Sequence, residues 1–146
     1  MESGSTYQLI SATNGSSVLD VYFSGTTDGT KVHLWSPNNS NAQRWKITSV
    51  GNGFYKLQPL VAPTKCLDVS NAGTANGTQV QIYSDNCTNA QKWKITNVGN
   101  GYYTLSPAHK LTSNLDVNQG AFTDGTKIQI YNANTGNAQK WRLIKL

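Results

Sequence analysis

The chain repeats its own sequence three times, and this feature limits the possible folds more than any other. The pentapeptide Asn-Ala-Gln-(Arg/Lys)-Trp occurs with its glutamine at positions 43, 91 and 139, so that 48 residues separate each copy from the next. The triplet Leu-Asp-Val keeps the same period, with its aspartate at positions 20, 68 and 116. A fixed period of this length is typical of one supersecondary unit that is stacked several times. We therefore predict a single domain over 1–146, with repeats at about 7–54, 55–102 and 103–146.

Each repeat contains four short runs that have the pattern of β-strands. In the first repeat these are Tyr-Gln-Leu-Ile, Val-Leu-Asp-Val-Tyr, Lys-Val-His-Leu-Trp and Arg-Trp-Lys-Ile-Thr, which are β-branched or aromatic and mostly alternating. Asp-Gly or Asn-Gly, the dipeptide of tight hairpins, lies between the second and third runs of each repeat. Signals for capped helices are absent. The chain is predicted to be all-β, with twelve strands closed into a threefold barrel.

The alternation also predicts which side chains fill the core. The same apolar positions recur in every repeat, as they must if each copy fills an equivalent wedge. The predicted inward set is Leu19, Val21, Val32, Leu34, Trp45, Ile47, Leu67, Val69, Val80, Ile82, Trp93, Ile95, Leu115, Val117, Ile128, Ile130, Trp141 and Leu143.

Charge and hydropathy exclude several classes of partner. The net charge is +5, but the cations are scattered, and pairs such as Arg44 and Lys46 alternate with apolar residues as on the solvent face of a strand. We therefore expect no nucleic acid as partner. No segment approaches the ~20 apolar residues of a membrane span, so no membrane insertion is expected. The N-terminus has no signal-peptide pattern, which indicates a cytoplasmic protein or a mature or recombinant form of a secreted one.

Three Gln-x-Trp motifs in register with three Leu-Asp-Val triplets resemble the ricin B-type (R-type) lectins over essentially the whole chain. They are also similar to the bacterial modules of carbohydrate-binding module family 13. The resemblance implies a β-trefoil with pseudo-threefold symmetry and one shallow sugar pocket per repeat, often for galactose or N-acetylgalactosamine. A period this regular is also compatible with an engineered or consensus sequence.

A sugar pocket needs a fixed carboxylate to accept hydrogen bonds from hydroxyl groups, and an aromatic ring to pack against the sugar's C–H face. An aspartate precedes an aromatic residue by 15 positions in every repeat, in the pairs Asp20 and Trp35, Asp68 and Tyr83, and Asp116 and Tyr131. In lectins of this type the aspartate holds the sugar hydroxyls and the ring is the platform. The alternative is that these aspartates belong to turn networks and that the rings close the rim of the barrel.

The resemblance implies further site positions. The family's polar contact two residues before the ring corresponds to His33, Gln81 and Gln129. Its loop residue over the pocket corresponds to Asn38, Asn86 and Asn134. The glutamines expected to brace the aspartate and the loop are Gln43, Gln91 and Gln139. Many family members have Asn directly before this Gln, whereas this chain has Ala42, Ala90 and Ala138 there. The asparagines lie one place earlier, at Asn41, Asn89 and Asn137. We keep them as candidate sugar contacts, although neighbouring residues of a strand point to opposite faces.

No catalytic or metal-binding pattern is visible. Glycoside hydrolysis needs two carboxylates that flank the bond, yet the only Glu is Glu2 in the terminal segment. Asp28 and Asp124, beside hairpin glycines, are predicted to be turn or network partners. Two cysteines alone cannot complete a tetrahedral zinc site, and neither histidine shows ligand spacing. We expect no cofactor, no metal and no enzymatic activity.

Cys66 and Cys87 lie at the two ends of the proposed pocket hairpin of the second repeat. Members of the family commonly have a disulfide in this region, and the resemblance implies one here, although Cys87 falls later than the usual position. Two separate thiols are the alternative.

The predicted function is that of a lectin with up to three galactose-type sites, which acts multivalently on glycan surfaces. A polysaccharide-binding module for xylan or galactan, detached from a larger glycosidase, is the closest alternative. A trefoil protease inhibitor or protein-interaction scaffold is another, since one fold hosts many functions. The oligomeric state is left open.

Overall fold

The computed structural model describes all 146 residues, and it confirms the predicted all-β fold with twelve strands. The strands are β1 (Ser5–Ser11), β2 (Val18–Val21), β3 (Val32–Trp35), β4 (Trp45–Gly51), β5 (Phe54–Pro59), β6 (Lys65–Val69), β7 (Val80–Ser84), β8 (Trp93–Gly99), β9 (Tyr102–Pro107), β10 (Ser113–Val117), β11 (Ile128–Asn132) and β12 (Trp141–Lys145). Six 3-10 turns, two per repeat, connect them: Tyr22–Ser24, Asn41–Gln43, Ser70–Ala72, Asn89–Gln91, Asn118–Gly120 and Asn137–Gln139. None of these turns is long and apolar enough to cross a membrane.

Six strands form a closed antiparallel barrel and the other six form three hairpins. The barrel order is β12-β9-β8-β5-β4-β1, and the pairing of β1 with β12 closes it. The hairpins are β2–β3, β6–β7 and β10–β11. Backbone hydrogen bonds between repeats join the hairpins to one another, for example from Leu34 N to Thr126 O at 2.9 Å and from Ile82 N to Thr30 O at 2.9 Å. This architecture is a β-trefoil.

The tryptophan of each Gln-x-Trp motif ties the barrel to a hairpin. Trp45, Trp93 and Trp141 are completely buried. Each indole Nε1–H donates to the carbonyl of the Leu in the Leu-Asp-Val triplet of its own repeat, at 3.1, 3.0 and 3.2 Å. This bond joins residues that are 26 apart in the chain. It therefore fixes the position of β2, β6 and β10, and of the aspartates that they carry, relative to the core.

The predicted core is present with two exceptions. Sixteen of the eighteen predicted inward side chains are buried, whereas Ile95 and Leu143 are only partly buried and pack against the outside of the cluster. For Leu143 the reason is that it lines a surface cavity between Tyr7 and Tyr103 near the N-terminus.

Candidate functional site

Each repeat carries a surface cavity that contains its predicted aspartate and its predicted ring. We call these cavities site 1 (Asp20, His33, Trp35), site 2 (Asp68, Gln81, Tyr83) and site 3 (Asp116, Gln129, Tyr131). Sites 1 and 2 have cavity volumes of about 270 and 290 Å³, while site 3 is broader at about 820 Å³. The hairpin and the first 3-10 turn of the repeat line each cavity, and the second 3-10 turn adds residues to sites 2 and 3.

The aspartate of each site is paired with the residue directly across its hairpin. The strand registers place Asp20 opposite His33, and the equivalent pairs are Asp68 with Gln81 and Asp116 with Gln129. The side chains bond across the strands: His33 Nε2 lies 2.5 Å from Asp20 Oδ2, and the two glutamine Nε2 groups donate to their aspartates at 2.9 and 3.1 Å. Each carboxylate is therefore held in one orientation before any ligand arrives.

The ring of each site follows its polar partner by two residues, so both side chains leave the same face of the strand. His33 and Trp35 stack with their ring centroids 5.1 Å apart. Trp35 is partly buried, whereas Tyr83 and Tyr131 are 40% and 42% exposed. Each site thus combines a nearly buried carboxylate with an aromatic face that is open to solvent.

Burial raises the pKa of the carboxylates in sites 2 and 3. Desolvation raises the pKa of Asp68 and Asp116 above the ordinary aspartate value, and hydrogen bonds from the glutamine side chains partly oppose this increase. A carboxylate in a desolvated site makes stronger hydrogen bonds to hydroxyl donors than one in water. These groups are therefore suited to hold the hydroxyls of a neutral polar ligand.

The glutamines of the repeated pentapeptide brace the loop that follows each ring. Gln43 Nε2 donates to Ser36 O at 2.9 Å, and Gln43 Oε1 accepts from Asn38 N at 2.8 Å. Gln91 makes the same two bonds, both at 3.0 Å. Gln139 makes them as well and also donates to Asp116 Oδ2 at 2.9 Å. The predicted bracing of the loop is present in all three repeats, whereas Gln43 makes no hydrogen bond to Asp20. All three glutamines are buried.

The loop asparagines line the sites, as their positions predict. Asn38, Asn86 and Asn134 each line the cavity of their repeat. The Oδ1 of each accepts from the backbone N–H two residues later, at 3.0, 3.1 and 2.9 Å. In sites 1 and 2 this leaves the Nδ2 group with no partner inside the protein, so it can donate to a ligand.

The asparagines of the pentapeptide are placed differently from the prediction in two repeats. Asn137 lines site 3, but Asn41 and Asn89 do not line sites 1 and 2. Strand alternation does not apply to these asparagines, because they begin 3-10 turns of three residues each. Side chains on such a turn are about a third of a rotation apart rather than on opposite faces. In site 2 the alanine, Ala90, lines the cavity instead.

A residue at the hairpin tip of each repeat accepts hydrogen bonds from the residue that directly follows the aromatic ring of another repeat. Asp124 Oδ1 accepts from Ser36 N and Ser36 Oγ, both at 2.8 Å. Asp28 does the same for Ser84, also at 2.8 Å, and Asn76 accepts from Asn132 N at 2.8 Å. The prediction that Asp28 and Asp124 are network partners is confirmed. Each site is thus held in place by two repeats.

The sequence analysis missed three positions that line every site, and one of them differs in chemistry from repeat to repeat. Phe23, Asn71 and Gln119 are equivalent residues on the first 3-10 turn of each repeat, and each lines its cavity. All three have positive φ, at 45°, 53° and 56°. The available signal was variation: the position holds three chemically different residues, although the motifs on either side of it repeat closely.

The predicted disulfide is absent, and both cysteines are free. Cys66 is buried in β6, and burial raises the pKa of its thiol to about 12. Cys87 is exposed on the loop after β7, in a left-handed conformation with φ 59°. This conformation matches that of Asn39 in the first repeat (φ 60°), so the shared loop geometry directs the side chain of Cys87 outwards. The structure holds no cluster of three or more His, Cys, Asp or Glu residues that could bind a metal ion.

The sequence matches the family of ricin-type beta-trefoil lectin domain-like proteins over residues 1–83, 41–131 and 89–146, and the chain belongs to this family. Among curated proteins, none matches it significantly. Together with the repeated pocket of carboxylate and ring, the family defines a carbohydrate-binding protein.

Three solved structures are similar to the chain. ThreeFoil, a designed 3-fold symmetric protein, has 35% identity and a TM-score of 0.93, with 97% of this chain and 99% of that one covered. The exo-beta-1,3-galactanase 1,3Gal43A from Clostridium thermocellum has 29% identity and a TM-score of 0.92; all of this chain is covered, but only 31% of the galactanase. The ricin B-like lectin of Macrolepiota procera, solved with lactose, has 21% identity and a TM-score of 0.83, covering 100% and 99% of the two chains.

Proposed function

We propose that this protein is a lectin with three binding sites for galactose-type sugars, one in each repeat. The observation that carries the proposal is the threefold recurrence of a buried, oriented carboxylate beside an accessible aromatic ring. Adjacent sugar hydroxyls donate to the carboxylate, and the C–H face of the sugar packs on the ring. Galactose suits such a site because its axial hydroxyl leaves one continuous apolar face for stacking.

The functional alternative is a polysaccharide-binding module of a larger glycosidase. The similarity to part of a galactanase favours this alternative over an inhibitor or scaffold, and it is compatible with the same sugar class. An inhibitor needs one exposed loop and has no need to repeat the carboxylate and the ring three times.

Binding of the purified protein to a glycan array tests the proposal, with free galactose, lactose and N-acetylgalactosamine as competitors. The isosteric variants Asp20→Asn, Asp68→Asn and Asp116→Asn should each remove one site, and the triple variant should lose binding while its near-UV circular dichroism is retained. Glu2→Gln is the matched control, because it removes the same charge from an exposed residue outside the three sites.

The results of the glycan-array experiment distinguish the lectin from the polysaccharide-binding module. Competition by galactose-type sugars supports the lectin proposal, and binding restricted to long galactan or xylan chains supports the module. A triple variant that binds as well as the wild type would refute the assignment of these sites.

A further inference from the structure

Site 1 contains aromatic side chains where sites 2 and 3 contain polar ones. Tyr22 and Phe23 stand where the second repeat has Ser70 and Asn71, and the third has Asn118 and Gln119. The Phe23 ring lies against Tyr22 at a centroid distance of 4.4 Å and against Trp35 at 6.2 Å. Phe23, Trp35 and the His33 that stacks on Trp35 line the cavity, whereas each of the other sites has one aromatic side chain in its lining.

The fold itself does not explain a phenylalanine at this position. Phe23 is 72% exposed, so its ring contributes little to the core. Its backbone lies in the left-handed region (φ 45°, ψ 37°), which is unfavourable for bulky residues and well tolerated by asparagine. An exposed ring held in a strained conformation beside a cavity is the kind of feature that is concentrated at binding sites.

The geometry of Phe23 and Trp35 defines what the aromatic pair can hold. A sugar ring sandwiched between two parallel aromatic rings needs them about 8 Å apart, since carbon contacts on each side take roughly 4 Å. Here the ring centroids are 6.2 Å apart and the planes are inclined by 59°. The two rings therefore form a corner rather than a slot. If a sugar ring stacks on Trp35, a substituent that projects from the edge of the sugar contacts Phe23.

The buried polar groups of site 1 come from its hairpin. Asp20 and His33 are nearly buried and bonded to each other, so they can bind the hydroxyls on one edge of the sugar. A substituent that reaches Phe23 instead contacts an apolar ring. That ring offers no hydrogen bond to a hydroxyl group, whereas a methyl group gains apolar contact with it.

We propose that site 1 selects sugars that carry a methyl-terminated substituent, and that Phe23 is the residue that determines this specificity. The inference rests on the proposed function, because it assumes that site 1 binds sugars. The methyl group can belong to an acetamido group or to a 6-deoxy carbon, and the two sources share the same chemistry at Phe23. Sites 2 and 3, which present Asn71 and Gln119, lack this selectivity.

Trp35 provides a site-specific measurement of this preference. Trp45, Trp93 and Trp141 are fully buried and hydrogen-bonded, so Trp35 is the tryptophan whose fluorescence a ligand in one of the sites can change directly. Titrations use matched pairs: galactose with N-acetylgalactosamine, glucose with N-acetylglucosamine, and galactose with D-fucose. The first two pairs test an acetamido methyl and the third tests a 6-deoxy methyl.

The expected result is tighter binding of the methyl-bearing member in at least one pair, by about fourfold or more, which corresponds to the burial of one methyl group. Phe23→Asn should remove this preference, so that the two members of the pair bind with equal affinity. The same variant should melt a few degrees higher than the wild type, because asparagine relieves the left-handed strain. Asn71→Ala, the control at site 2, should leave the Trp35 titrations unchanged.

Equal affinity for both members of every pair would overturn the inference, and so would a preference that survives Phe23→Asn. A Trp35 signal that no sugar changes, in a protein that still binds the glycan array, would also overturn it while leaving the proposed function intact. Loss of both signals would refute the proposed function as well.

Discussion

At the scale of single residues, the three sites differ in how their carboxylates are held. Asp20 is paired with a histidine, whereas Asp68 and Asp116 accept hydrogen bonds from neutral amides. Burial raises the pKa of both amide-bonded aspartates, because the low-dielectric surroundings penalise the charged form. These two groups are therefore protonated at higher pH than an ordinary aspartate.

This pKa shift predicts acid-sensitive binding at sites 2 and 3. Protonation removes the charged acceptor, so sugar affinity at these sites should fall as the pH decreases, starting above the ordinary aspartate pKa of 3.8. Calorimetric titration of the Asp20→Asn variant at a series of pH values measures sites 2 and 3 without site 1. Affinity that stays constant down to the ordinary pKa would contradict the prediction.

The raised pKa of Asp68 and Asp116 affects stability in the opposite direction: sugar affinity falls at low pH, whereas the contribution of these groups to the free energy of unfolding rises. Because the folded-state pKa is raised, the native state binds more protons than the unfolded chain between the two pKa values, and Asp68 and Asp116 favour folding more as the pH falls through that window. The pKa values of Asp28 and Asp85 are lowered, chiefly by hydrogen bonds from Lys65 and Lys56, so their stabilisation is lost only as the pH falls through the lowered values. Sugar binding should therefore decline before near-UV circular dichroism reports unfolding.

At the scale of elements, each hairpin serves two repeats. The β10–β11 tip belongs to the third repeat, yet Asp124 accepts two hydrogen bonds from Ser36, directly after the Trp35 ring of site 1. Gly125 at the same tip has φ 91°, and a Cβ there would lie 3.9 Å from Cζ3 of Trp35. The position of a binding ring thus depends on a turn almost ninety residues away in sequence.

Asp124→Ala tests this coupling between repeats. The change leaves Ser36 N and Ser36 Oγ without their acceptor, which should cost about 1 kcal/mol in the free energy of unfolding. It should also weaken sugar binding at site 1, as measured by Trp35 fluorescence. Asp28→Ala is the matched control, because it releases Ser84 at site 2. If both variants affect the Trp35 titration equally, the hairpin tips do not position the sites individually.

At the scale of the whole molecule, the trefoil distributes three sites over three repeats around one core. Each candidate site belongs to a different hairpin. Under the proposed function, one domain would therefore hold three sugars at once. When a surface displays many glycans, the second and third contacts form at high effective concentration, and the avidity exceeds the affinity of any one site.

This arrangement predicts that cross-linking needs more than one intact site. The wild-type protein should agglutinate cells or vesicles that display its glycan. A variant with Asp68→Asn and Asp116→Asn should not agglutinate them, although its affinity for a free monosaccharide at site 1 should be unchanged. Light scattering with glycan-bearing vesicles measures the first property, and the Trp35 titration measures the second. Agglutination by this double variant would indicate self-association rather than multivalency.

The sequence alone determined the repeats, the strands, most of the core and the pairing of an aspartate with a ring. These features follow from local rules: alternation along a strand fixes which side chains share a face, and a repeat copies the result. Only the tertiary structure decided that Asp124 positions Trp35 and that Phe23 lines site 1. It also decided that Asn41 and Asn89 lie outside their sites and that Cys66 and Cys87 form no disulfide. The physical reason is that each of these depends on packing between repeats or on the backbone conformation of a turn, which the strand pattern does not encode.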